Sequence, residues 1–294
     1  MHHRLTWLAV VLAICATAGA APPKGHSSER KPEARQPAAK TAKAPAGARE
    51  AELERLRGVL ASGDESAILA ALAQLGSAPA EAAAAAPLVE EVLARGANVR
   101  VTIAALDTAA VLQQSSSSVS VAPYVRHRRP ELRRAAARAL VATGGPLAVE
   151  ALRQGLASKD AQVRATSADG LGKLGARDSV DDLFAVLGHE TPEAATSIAL
   201  LCSPAQCDRL MALVGKLKFE TLEAGFVPLL LRPTAELADE NKLRYVERLR
   251  RLATPGARAS LQTALAQLPE AASPTLRSAL LAAMRTAPID EGSR

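Results

Sequence analysis

The chain has 294 residues, 48% of them hydrophobic but only 2% aromatic, with a formal net charge of +6 and a pI of about 9.5. Alanine, leucine and arginine dominate, and the β-branched and aromatic runs that strands prefer are scarce, so an all-α protein is expected. The charge is uneven: residues 22–50 hold seven Lys or Arg against three Glu, while residues 51–294 hold 28 basic and 27 acidic side chains. Such basicity describes a solvated tail and argues against a nucleic-acid footprint.

Residues 1–20 read as an export signal. Arg4 supplies a positive start, residues 5–14 an apolar centre, and Ala18-Gly19-Ala20 a small-residue cleavage site before Ala21. Two alternatives stay open. One is a retained membrane anchor, although the apolar run extended to Ala21 falls just short of the ~20 residues of a span. The other is a lipoprotein carrying its lipid on Cys15, against which stands Ile14 in the place of the usual small residue. Residues 21–49 form an Ala/Pro/Lys-rich linker nearly empty of large apolar side chains, expected to be disordered and to act as a spacer. Fully extended it reaches about 80 Å at ~3.1 Å per residue. Its positive charge leaves contact with a membrane surface open.

From Glu50 the spacing of apolar residues is helical almost without break. Leu53, Leu56 and Leu60 mark a first helix ending near Gly63, followed by helices over 65–75 and 79–95, then 99–112 and 119–127. The serine run 115–118 is read as an exposed polar connector. Two helix-turn-helix units follow, over 130–158 and 161–188, then a weaker copy over 192–202 and 207–217. Helices over 220–231, 235–252, 256–268 and 274–285 complete the array, and residues 287–294 form a disordered tail. Leu243-Arg244 and Leu276-Arg277, offset by 33, suggest that the terminal part descends from the same unit.

The two clear units repeat at an offset of 31 residues. Leu132, Arg133, Ala137, Leu140, Gly144, Val149, Leu152 and Leu156 recur as Val163, Arg164, Ala168, Leu171, Gly175, Val180, Leu183 and Leu187. Self-similarity at this period marks a solenoid, in which each unit buries its apolar face only by stacking on its neighbours. Asp160 is placed to cap the helix it precedes, Ala165 and Ala168 to let helices approach, and Gly175 to take a left-handed turn. Over 130–188 the chain resembles the short HEAT-like repeats named after phycobilisome lyases. The resemblance implies a right-handed α-solenoid of stacked helix pairs over residues 50–286. It also implies that Arg133 and Arg164 tie structurally to an acidic group of an adjacent turn.

Few residues offer chemistry. Cys202 and Cys207, in Cys-Ser-Pro-Ala-Gln-Cys, fall at the end of one helix and the start of its partner. In an exported protein such a solitary pair reads as a disulfide, with two small buried residues as the alternative. His127 and His189 lie at unrelated repeat positions with no nucleophile motif beside them, and no phosphate loop, metal-binding histidine pair or calcium loop occurs. No catalytic, cofactor or metal site is therefore expected. The arginines 126, 128, 129, 133 and 134 form one positive cluster, read as a solvated inter-repeat loop with Arg133 held structurally.

The expectation is an exported, noncatalytic scaffold that binds another protein in the bacterial cell envelope. Specificity would lie on the second helices, where Glu150, Arg153, Gln154, Asp181 and Phe184 flank the core stripes, with a wider core stripe as the alternative role of Phe184. Two other readings stand beside it: a structural or membrane-surface envelope protein tethered by its basic tail, and a bilin lyase, the activity of the repeat's namesake.

Overall fold

In the computed structural model, which describes residues 46–285, fifteen α-helices follow one another. They are α1 (Ala46–Leu60), α2 (Glu65–Gly76), α3 (Ala82–Arg95), α4 (Val99–Leu112), α5 (Ser118–Val121), α6 (Pro130–Thr143), α7 (Ala148–Leu156) and α8 (Ala161–Lys173). After these come α9 (Val180–Val186), α10 (Pro192–Leu201), α11 (Pro204–Ala212), α12 (Phe219–Leu231), α13 (Asp239–Leu252), α14 (Pro255–Gln267) and α15 (Pro274–Arg285). Among the described residues there is no strand, only an isolated bridge between Val214 and Leu217. The expected export signal and the tail after residue 286 lie outside the described residues.

Local sequence explains where the helices start and stop. Asp64 accepts from the backbone N–H of Ser66 and Ala67, and Asp160 from those of Gln162 and Val163, each supplying acceptors to donors that lack intrahelical partners. Ser203 and Gln206 make a reciprocal capping box at α11. Proline opens α6, α10, α11 and α14, where its missing N–H costs nothing. Gly144 and Gly175 close the first helices of the two clear units with φ of +59° and +68°, in the region that glycine enters without a Cβ penalty.

The helices sort into two layers. The even-numbered ones, α2 through α14, pack each on the next, with small residues at the crossings: Ala105, Ala136, Ala168 and Ala195 are all fully buried. At the crossing of α10 and α12 a Cβ on Gly225 would stand 2.6 Å from the carbonyl oxygen of Ala195, so only glycine permits this approach. The odd-numbered helices form the other layer, stacked from α1 to α3 to α5, α7 to α9, and α11 to α13 to α15. The result is an α-solenoid of helix pairs whose core runs continuously between the layers.

Three expectations need correction. The first helix begins at Ala46, four residues inside the expected linker, and Arg49 on it reaches Glu81 at 3.2 Å. The helix expected over 119–127 is only α5 followed by a 3₁₀ turn, Ala122–Arg126, because Pro123 has no N–H to continue the ladder. The serine run beside it is an exposed connector only in its first half, Ser115 and Ser116. Ser117 and Ser118 are fully buried, with Ser117 donating to Glu90 at 2.8 Å and Ser118 to the Ser115 carbonyl at 2.8 Å.

The resemblance also misplaced the partners of the repeat arginines. Arg133 donates to the carbonyls of His127 and Arg128, both at 3.0 Å, and Arg164 to those of Ser158 and Lys159 at 2.9 and 3.2 Å. Each guanidinium thus clamps the loop that enters its own helix, satisfying carbonyls that the turn leaves without partners. The acid contact falls to the next residue, Arg134, which meets Asp160 at 2.8 Å. The pairs Leu243-Arg244 and Leu276-Arg277 lie on α13 and α15, in the odd layer, and so are not equivalent to Leu132-Arg133 on α6.

Candidate protein-binding face

The odd layer has a distinctive outer surface. Helix α7 buries Ala148, Ala151, Leu152 and Leu156, and α9 buries Val180, Leu183, Phe184 and Val186. Helix α11 buries Cys207, Leu210 and Met211, and α13 buries Tyr245, Val246 and Leu249. With their apolar stripes committed to the core, the opposite sides of these helices carry the charges.

Those charges join helix to helix. Arg153 on α7 donates to Asp182 on α9 at 2.6 Å, Arg209 on α11 to Asp181 on α9 at 2.8 Å, and Arg244 on α13 to Asp208 on α11 at 3.1 Å. The doublets Asp181-Asp182 and Asp208-Arg209 each send one side chain back and the other forward. Adjacent residues on a helix diverge by about 100°, so a charged doublet reaches both flanking helices. The Asp182 contact is the leading cause that raises the pKa of Arg153 above its ordinary value. Such exposed pairs set the register of neighbouring helices and add little to stability.

Of the expected contact residues, Glu150, Arg153, Gln154 and Asp181 are exposed together on this face. Arg153 and Gln154 both bond to Glu150, at 3.5 and 3.2 Å. Phe184 is not a surface contact: it is buried, and Arg209 from the following repeat lies over its ring at 4.0 Å. It widens the core stripe and seats Arg209 by a cation–π contact. Sequence reading missed Asp182, Asp208, Arg209 and Arg244. The usable signal was a charged doublet on each of two successive second helices, Asp181-Asp182 in the first turn of α9 and Asp208-Arg209 in the middle of α11.

Open grooves run between second helices. One, between α7 and α9, is lined by Arg153, Lys159, Asp182, Val186 and His189; another, between α11 and α13, by Met211, Arg244, Arg248 and Arg251. His127 stands away from them, its Nδ1 accepting from the Arg129 backbone at 3.1 Å. Among the described residues no group of three or more His, Cys, Asp or Glu side chains is gathered as a metal ion would need, and no helix is long and apolar enough to cross a membrane.

Cys202 and Cys207 meet at the turn from α10 to α11, with sulfurs at bonding distance and Cα atoms 5.4 Å apart. Beneath them lies the buried Arg232, donating to the Cys202 carbonyl at 2.6 Å and approaching both sulfurs at 3.5 Å. Its second terminal nitrogen, Nη2, donates to Glu236 at 3.0 Å, so the guanidinium fastens this turn to the start of the segment leading into α13.

Comparison with family models decides what the repeats are: residues 120–202 match HEAT repeats. This stretch is HEAT-repeat sequence. The match reaches beyond the two units legible at the 31-residue offset, back to the end of α5 and forward over α10. Comparison with curated proteins found no match. Similar solved structures include the complex of CpcE and CpcF of phycocyanin lyase from Nostoc sp. PCC7120, at 15% identity and a TM-score of 0.45, covering 87% of this chain and 100% of that one. Human deoxyhypusine hydroxylase shares 17% identity at a TM-score of 0.38, over 81% of this chain and 96% of that one. An engineered protein shares 17% identity at a TM-score of 0.30, over 80% and 95%.

Proposed function

We propose that this HEAT-repeat solenoid is an exported, noncatalytic scaffold of the bacterial cell envelope and that it binds another protein on its second-helix face. The observation that carries the reading is the ladder of ion pairs from Arg153 through Asp182, Asp181, Arg209 and Asp208 to Arg244. It presents a continuous charged surface across four repeats while contributing little to the core, an arrangement suited to recognition. The export half of the reading is supported by the N-terminal signal pattern and by a cysteine pair at bonding distance, which persists in an oxidising compartment.

Affinity capture from envelope extract tests both halves. Mature protein should begin at Ala21, carry no free thiol at Cys202 or Cys207, and retain a partner that is lost when Arg153→Glu and Asp181→Lys are combined. Both side chains are exposed, at 42% and 75%, so the double variant should keep the helicity and melting of the wild type. Partner retention by that variant would remove the face from the proposal.

A further inference from the structure

The groove between α11 and α13 carries an excess of one charge. Arg244, Arg248 and Arg251 stand at i, i+4 and i+7 on α13, so they form a single stripe along one wall, above a floor of Met211, Val214 and Leu252. The space they enclose is open and measures about 670 Å³. Two acids line it, and both are already taken. Asp208 accepts from Tyr245 at 2.6 Å and from Arg244 at 3.1 Å, while Glu247 accepts from Arg251 at 2.7 Å and also from Arg250, which faces away. These two arginines hold the Glu247 carboxyl down at about 2, Arg250 contributing most. Arg248 has one long bond, to the Val214 carbonyl at 3.3 Å. Three guanidiniums therefore line the groove against two carboxylates, and Arg248 is the one with no carboxylate partner among the described residues.

We infer that this groove binds an acidic segment of a partner protein, with carboxylates on Arg248 and Arg251 and an apolar side chain between them on Ala212 and Leu252. The planar guanidinium matches a carboxylate with two parallel bonds, which fixes orientation as well as charge. The apolar floor between cations suits a peptide, which alternates charged and apolar groups, better than a phosphate backbone. Tyr245, the aromatic residue at the site, is buried with its hydroxyl on Asp208, so no base-stacking platform is offered. The inference rests on the scaffold reading above and adds to it the chemistry of the partner.

The test uses the full chain and a fluorescein-labelled twelve-residue peptide in which paired glutamates alternate with paired leucines, read by anisotropy. The wild type should bind it, less tightly as salt rises. The double variant Arg248→Glu, Arg251→Glu should weaken binding at least tenfold, the neutral pair Arg248→Gln, Arg251→Gln should weaken it less, and Arg138→Gln on the even-layer helix α6 should bind as the wild type does. Circular dichroism checks that each variant is folded, and the neutral pair carries the test should the charge-reversed pair not fold. No binding by the wild type, equal binding by the folded variants, or displacement by single-stranded DNA at lower concentration than by unlabelled peptide would overturn the inference. Any of these, found while partner capture still depends on Arg153 and Asp181, would leave the scaffold reading intact. Groove-dependent peptide binding with no protein captured from extract would support the groove and sink the envelope scaffold.

Discussion

Gly175 has φ +68° and no atom within 4 Å of the place where a Cβ would be, so alanine there meets only the backbone cost of the left-handed region, about 1–2 kcal/mol. Gly145 has φ +90° and its Cβ would fall 2.2 Å from the Ser115 carbonyl oxygen, so alanine adds a collision with backbone that cannot move aside cheaply. Urea unfolding should show Gly145→Ala losing clearly more stability than Gly175→Ala; the reverse order would contradict the turn geometry. Asp160 makes a second case. Burial acts to raise its pKa, but the bond from Arg134 and the N–H groups of Val163 and Gln162 outweigh that and hold it below the ordinary 3.8. A carboxylate depressed on folding stabilises above its unfolded value and loses that contribution as pH falls through the lower folded value. Stability should therefore drop below pH about 4, and Asp160→Asn, which caps without titrating, should show a smaller drop. Both residues were legible in the sequence because a cap and a left-handed turn are decided within a few residues. The burial of Phe184 was legible only as an alternative to a surface contact, since its cover, Arg209, arrives from the next repeat.

At the scale of the helix, apolar spacing located nearly every element, and the failures have a common cause. Around α5 the periodicity continues through Pro123 while the hydrogen-bond ladder cannot, and the buried Ser117 there is satisfied by a carboxylate, Glu90, from a different helix pair. What periodicity cannot state is how closely two helices cross. At α12 the approach to α10 leaves no room for a Cβ on Gly225, whereas Gly58 on α1 has nothing within 4 Å. Gly225→Ala should destabilise by about 1–3 kcal/mol through overpacking, and Gly58→Ala should stabilise by about 0.5–1 kcal/mol through helix propensity. Thermal melts of the two variants give opposite shifts if the even layer is held together as described. A neutral Gly225→Ala would mean that the crossing is looser.

For the whole molecule, the 31-residue period predicted stacked helix pairs, and the two layers follow from it because every unit must cover its neighbour. The period is silent on which exposed positions act together. Glu150, Arg153, Gln154 and Asp181 were legible as outward-facing, but their linkage depends on side chains reaching between helices 28 to 36 residues apart in sequence, as in the pairs of Arg209 with Asp181 and of Arg244 with Asp208. That linkage makes the odd layer one surface. Hydrogen exchange of the full chain, alone and with the protein captured from envelope extract, reads that surface helix by helix. Protection gained on α7, α9, α11 and α13, with α6, α8 and α10 unchanged, is the expected result; protection confined to the even-numbered helices would contradict the assignment of the binding face.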